Sequence, residues 1–280
     1  MATIMEQVPE EDKRRQQQRQ QETNLKTTLA GIKNKFIVMS GKGGVGKTSV
    51  SVNLAVALSK KNFEVGLIDV DLHGPDVLRM LGLRGLLGVS ANQKLIPMSY
   101  NKHLRTISVE SFIQNRDDAI IWRGPLKHQA IQQFISEVDW GHLDFLVIDS
   151  PPGTGDEPLT VAQIVPGAKA IIVTTPQEIA LADVRKSINF CRTVKMEIFG
   201  VVENMSAFNC PHCGKPISLF GSGGGEKVAC DMGLTFLGKI PFDPGMVTCG
   251  DSGTCYQERH DDSDVSRAFA AIADKMSAMV

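Results

Sequence analysis

From Asn34 onward the chain alternates short, unbroken apolar runs with longer stretches whose apolar residues recur every three or four positions. The runs at 35–40, 65–69, 104–109, 144–149, 169–174, 198–203 and 235–240 predict strands buried on both faces. The stretches 47–60, 124–137, 178–194 and 264–278 predict helices. In the last of these, Val265, Phe269, Ile272 and Met276 repeat at intervals of four, three and four, which makes a single core-facing stripe. Strands and helices in this alternation predict an α/β fold, a doubly wound and mostly parallel sheet flanked by helices. The segment 205–220 and the glycine-rich stretch 221–225 break the rhythm, and no internal repeat is visible. The N-terminal part reads differently. Residues 1–33 form a polar, charge-balanced arm around Gln16–Gln21, either helical or disordered, ahead of a folded domain over 34–280.

Composition narrows the class. A chain of 280 residues with 42% hydrophobic content can bury a substantial core. Its net charge of −1 gives no global attraction to nucleic acid. The most apolar runs, such as Phe145–Ile148 and Ala170–Val173, are far below membrane-spanning length. The arm carries Glu6, Glu10, Glu11, Asp12 and Glu22 and has no apolar stretch, which argues against a secretory or mitochondrial leader. The expectation is a cytoplasmic protein with neither nucleic acid nor membrane as partner. In that compartment its six cysteines are free thiols or metal ligands rather than disulfides.

Directly after the first strand run stands Gly41-Lys42-Gly43-Gly44-Val45-Gly46-Lys47-Thr48-Ser49, a strand–GxxxxGK[ST]–helix pattern. Glycines let successive backbone N–H groups turn toward phosphate oxygens, and the following helix adds its positive dipole end. Lys47 is placed to reach the β- and γ-phosphates and Thr48 to help hold Mg²⁺. Three acids then close other strand runs: Asp69, Asp71 and Asp149. Ligands of open parallel sheets sit at such strand ends, so these acids are expected beside the phosphates. Asp149 is the candidate Mg²⁺ supporter and Asp71 the candidate for orienting the attacking water, with Asp69 supporting Asp71 or the metal. The run Asp149–Asp156, with its Pro-Pro and glycines, reads as a segment that switches with the γ-phosphate. No Asn-Lys-x-Asp sequence is present, which favours ATP over GTP.

Cys210-Pro211-His212-Cys213 follows the sixth strand run. Two thiolates at this spacing hold one corner of a soft-metal site, and a closed site needs four ligands. The missing pair comes either from a second copy of the chain or from Cys249 and Cys255. Cys191 and Cys230 fall inside helical patterns and read as small core residues.

Together these segments resemble the Mrp/ApbC-type (Nbp35-like) iron–sulfur carrier ATPases of the deviant Walker A (MinD/ParA) group. The resemblance rests on the loop with its extra Lys42, on Asp69–Pro75, Asp149–Asp156 and Glu203-Asn204-Met205-Ser206, and on Cys210–Cys213 ahead of Phe220–Gly225. It implies a homodimer with ATP near the interface, Lys42 reaching the partner's phosphates and Asn204 contacting adenine. It also implies that Cys210 and Cys213 of two chains bridge one labile [4Fe–4S] cluster. That cluster is received from scaffold or donor proteins and delivered to apo-proteins. No cysteine precedes Cys191, so the N-terminal four-cysteine motif of some eukaryotic members is absent, and Cys249 and Cys255 stand outside the family pattern. Three other readings compete. A MinD/ParA-like positioning ATPase would need a basic C-terminal helix, yet Ala268–Val280 offers only Lys275. A nitrogenase-iron-protein-like reductase would carry single, widely spaced cluster cysteines. An ATPase with a structural zinc site would use all four of Cys210, Cys213, Cys249 and Cys255.

Overall fold

The computed structural model describes residues 10–112, 124–210 and 212–278; residues 1–9 of the polar arm and Pro211 of the CxxC motif lie outside them. Its centre is an eight-stranded sheet in the spatial order Phe236–Lys239, Glu197–Glu203, Lys169–Thr174, Ile32–Ser40, Leu143–Asp149, Val65–Asp69, Leu104–Ser108 and Met98–Ser99. Every neighbouring pair is parallel except the last, an antiparallel edge. The first strand in sequence lies in the interior. The chain builds outward on one side, returns to insert Leu143–Asp149 beside it, then crosses to the other side. That reversal creates a switch point where loops diverge and leave a crevice at the carboxyl ends of the strands.

Alternation along the strands sorts side chains into two cores. Ile37, Met39, Leu146 and Ile148 face one side, where Ile131, Phe134, Val161, Val184 and Ile188 cover them. Phe36, Val38, Phe145 and Val147 face the other, under Val50, Leu54 and Leu58 of the helix Lys47–Lys60. The helix Asp264–Ser277 packs there as well, with Val265, Phe269, Ile272 and Met276 all buried, the stripe expected from its spacing.

The boundaries moved in places for physical reasons. The first strand begins at Ile32 rather than 35, because Ile32 pairs with Leu143 and is buried. Residues Glu10–Ala30 form a helix whose last turns dock on the helix Gly124–Ser136 by burying Thr28 and Leu29. The glycine-rich interruption is the start of a helix, Gly224–Asp231: Gly223 adopts φ 78° and ends as its cap. Cys230 lies on that helix but is exposed, which corrects its assignment to the core; Cys191 is buried. Among the described residues, no helix is long and apolar enough to cross a membrane.

Candidate functional site

The strands ending at Ser40, Asp69 and Asp149 bring three loops to one edge of the sheet, in register: Val38 lies opposite Asp149, and Asp149 opposite Asp69. Gly46 takes the left-handed conformation (φ 80°) that turns the chain into the helix Lys47–Lys60. Gly41 is required for a different reason. A Cβ there would stand 2.3 Å from the carbonyl carbon of Asp183, so any side chain would force the loop off the helix Glu178–Thr193. The loop walls an open cleft of about 680 Å³ whose other sides include Asp71, Asp76 and Pro152.

At its floor Lys47 and Asp149 form an ion pair (Nζ–Oδ2 2.7 Å) with side chains 6% and 0% exposed. Asp149 is saturated: Thr48 Oγ1 donates to Oδ2 at 2.8 Å and Ser51 Oγ to Oδ1 at 2.6 Å. Such a buried pair persists because its hydrogen bonds offset the desolvation of both charges. Lys47 is thus parked on Asp149, within the loop that a phosphate would enter. The hard oxygens of Thr48 and Asp149 are the donor set that suits Mg²⁺.

Asp69 is fully buried, and its carboxylate is occupied by hydrogen bonds within the protein. Its Oδ1 accepts the Asp71 N–H at 3.0 Å; its Oδ2 accepts the Val77 N–H at 3.2 Å and Ser108 Oγ at 3.3 Å. Burial, reinforced by the neighbouring Asp149 carboxylate, holds its pKa well above the ordinary carboxylate value. It acts on the site by fixing the loop that carries Asp71. Asp71 is half-buried and lines the cleft. Desolvation raises its pKa, with the Lys47 ammonium opposing the shift. The Lys42 ammonium has no hydrogen-bond or ion-pair partner among the described residues, and its backbone carbonyl accepts Ser40 Oγ at 2.9 Å.

Beyond Ser49 a narrow slot of about 70 Å³ lies between Asn204 and Met205 on one side and Pro241, Phe242, Met246 and Val247 on the other. Asn204 Nδ2 donates to the Val45 carbonyl at 2.9 Å, so this side chain already braces the phosphate loop. The Pro241–Val247 wall was missed in the sequence, although Pro241-Phe242-Asp243-Pro244 directly follows the last strand run and is a turn signal.

Cys210 and Cys213 sit at the tip of a small hairpin formed by Phe208–Asn209 and Pro216–Ile217. Gly214 (φ 69°) closes the turn, donating its N–H to the Cys210 carbonyl at 2.8 Å. Cys213 is exposed and Cys210 half-buried. Backbone N–H groups of His212 and Cys213 directed at its sulfur lower the Cys210 pKa, which favours the thiolate that metals bind. Cys249 and Cys255 are different: both lie inside the second hydrophobic core, and burial pushes Cys255 up to about 11. Among the described residues no group of three or more His, Cys, Asp or Glu side chains is arranged to hold a metal.

The ParA family model, described as NUBPL iron-transfer P-loop NTPase, matches residues 31–277. An iron-sulfur cluster carrier protein of Saccharolobus solfataricus is 45% identical over 272 residues, covering 96% of this chain and 92% of the relative. The cytosolic Fe-S cluster assembly factor CFD1 of Eremothecium gossypii is 45% identical over 239 residues, covering 82% and 85%. Among solved structures, the nucleotide-binding protein of Archaeoglobus fulgidus in complex with ADP superposes with a TM-score of 0.74 at 36% identity, covering 85% of this chain and 93% of that one. The cell division ATPase MinD of Pyrococcus furiosus, at 22% identity and TM-score 0.64, covers 88% and 100% and shares the fold. With its phosphate loop, its acids and its solvent-facing CxxC on one sheet edge, the chain belongs to the ParA/NUBPL family of iron-transfer P-loop NTPases.

Proposed function

We propose that this protein is an ATP-hydrolysing iron–sulfur cluster carrier that works as a homodimer. In this reading Cys210 and Cys213 of two chains bridge one labile [4Fe–4S] cluster, received from a scaffold or donor and passed to apo-proteins. The observation that carries the reading is the placement of Cys210 and Cys213 at the tip of the hairpin. Cys210, whose thiol pKa is lowered, and the exposed Cys213 share a hairpin tip on the same sheet edge as the phosphate loop, while Cys191, Cys249 and Cys255 are buried. A two-fold axis sets identical patches face to face, so two half-sites complete a four-thiolate site without further machinery. The carrier names of relatives at 45% identity support the same class. The zinc reading is disfavoured because Cys249 and Cys255 are enclosed by apolar side chains.

For nucleotide, the phosphate loop and Lys47 bind the β- and γ-phosphates, and Asn204 and Ser49 flank the base side. Thr48 and Asp149 would hold Mg²⁺, which spreads the phosphate charge. Phosphate entry draws Lys47 off Asp149 and leaves that carboxylate for the cation. Asp71 orients the attacking water. Asp71→Ala is expected to leave ATP affinity within a few-fold and slow hydrolysis by about 100-fold, whereas Asp149→Ala weakens Mg²⁺-dependent binding too. Nucleotide titrations beside phosphate-release assays separate the two, and equal losses of affinity would show that their roles are misassigned. Asp71 must be ionised for this task and its pKa is raised from the ordinary aspartate value, so the acid limb of kcat/KM, which reports the nucleotide-free site, should be shifted upward. This ratio should rise with pH through that limb.

Lys42 is assigned to the partner's phosphates. Lys42→Ala should retain nucleotide binding and lose hydrolysis or ATP-dependent dimer tightening. Mixing Lys42→Ala with Asp71→Ala chains should restore part of the activity in heterodimers; a mixture as inactive as either parent would remove the cross-subunit role.

A further inference from the structure

Phe242 occupies two places at once. One face of its surroundings is the slot beside Asn204 and Met205, and the other is the stem of the cysteine hairpin. Its N–H donates to the Ala207 carbonyl at 2.6 Å, and it bridges to Phe208, the first residue of the hairpin stem. Its ring meets Phe208 edge-on at 6.0 Å and Phe220 at 6.3 Å, so one aromatic holds both the entry to and the exit from the cysteine loop. The ladder below is continuous. Ile240 N–H donates to Glu203, Ser206 N–H to Ile240 and Phe242 N–H to Ala207, carrying the sheet's edge pair past its last strand residues up to the hairpin. Within this extension Met205 is held at φ 54°, a strained conformation for an unbranched side chain, between Asn204 on the phosphate loop and Ser206 on the hairpin side.

We propose that Phe242, with Met205, transmits occupancy of the base slot to the cysteine hairpin, so that the base of a bound nucleotide sets the exposure of Cys210 and Cys213. The slot of about 70 Å³ is far below the roughly 300 Å³ at which ligand pockets begin. A purine entering it must spread Met205 from Phe242, and both walls belong to the hairpin's support. The phosphates, bound by residues 43–48, reach these walls only through the loop itself, where Asn204 bonds the Val45 carbonyl, whereas the base would part Met205 from Phe242 directly. This coupling rests on the nucleotide site proposed above, and Phe242 serves it as a positioning residue that need not touch the cluster.

The test uses the cluster-free full-length chain. Alkylation rates of Cys210 and Cys213 by a maleimide are read by peptide mass spectrometry, with the exposed Cys230 as internal reference. They are measured without ligand, with saturating ADP and with saturating pyrophosphate, binding of each being verified separately. ADP should change the rate at the hairpin by about fivefold or more, the scale of typical coupling between sites, and pyrophosphate should not. Phe242→Ala and Phe208→Ala break the link from its two sides, and each should abolish the ADP effect; Phe208 does not line the slot, so Phe208→Ala should still bind ADP, its affinity altered by no more than the coupling it removes. If one variant fails to fold, the other decides. A native chain that binds ADP with no change at the hairpin, or a folded variant that keeps the full change, overturns the coupling and leaves the carrier reading standing. Failure to bind ADP at all would sink the nucleotide site and the coupling together.

Discussion

Lys47→Ala is expected to reduce ATP hydrolysis by about 100- to 1,000-fold, the scale set by losing a principal charge stabiliser of the transition state, and to weaken nucleotide binding with it. The ammonium has two tasks. In the proposed reading it neutralises the β- and γ-phosphates when nucleotide is bound; without nucleotide it balances a fully buried Asp149 at 2.7 Å. Removing one partner of a buried pair costs about 3 kcal/mol or more, and the hydroxyls of Thr48 and Ser51 that still bond Asp149 keep the loss toward the lower end. The nucleotide-free variant should therefore melt several degrees lower while remaining folded. Lys47→Gln, which can still donate to Asp149, should recover part of the stability and little of the turnover. Melting curves and phosphate release on the two variants separate the tasks. Native turnover in Lys47→Ala would contradict the assignment of the phosphate loop.

The second large effect concerns the thiols. Replacing Cys210 and Cys213 together by serine should abolish iron and sulfide binding and spare ATP binding, because the hairpin they tip is held by Phe242 and its own backbone bonds rather than by metal. Replacing Cys249 and Cys255 by serine should leave the cluster in place. Its cost is to stability, since two hydroxyls would enter a largely apolar core, with Asn53 Oδ1 an acceptor beside Cys255. Complete metal loss in the Cys249/Cys255 variant would restore the single-chain site.

Much of this was legible in the chain. The glycine loop, Lys47 and the strand-ending acids were readable because each combines a fixed spacing with a period-two or period-3.6 flank, and the parallel sheet then dictates which strand ends meet. The role of Asp69 was less legible: a carboxylate after a strand looks alike whether it faces a ligand or, as here, accepts two backbone N–H groups and a serine hydroxyl. Cys230 misled because helical spacing marks a residue's element but not its face when the helix is short. The stretch 221–225 read as a break, although a left-handed glycine, Gly223, is also what starts this helix. Phe242 was invisible. Its significance comes from rings at 208 and 220 and a slot at 204–205, contacts that no local pattern encodes.

The central claim is that two copies of the chain complete one cluster site. Anaerobic purification, followed by iron, sulfide and zinc analysis on the size-resolved dimer, tests it most directly. The account predicts one [4Fe–4S] cluster per pair of chains, lost on Cys210/Cys213 substitution and absent from monomer. One zinc per chain with no sulfide, present equally in monomer and dimer, would contradict it.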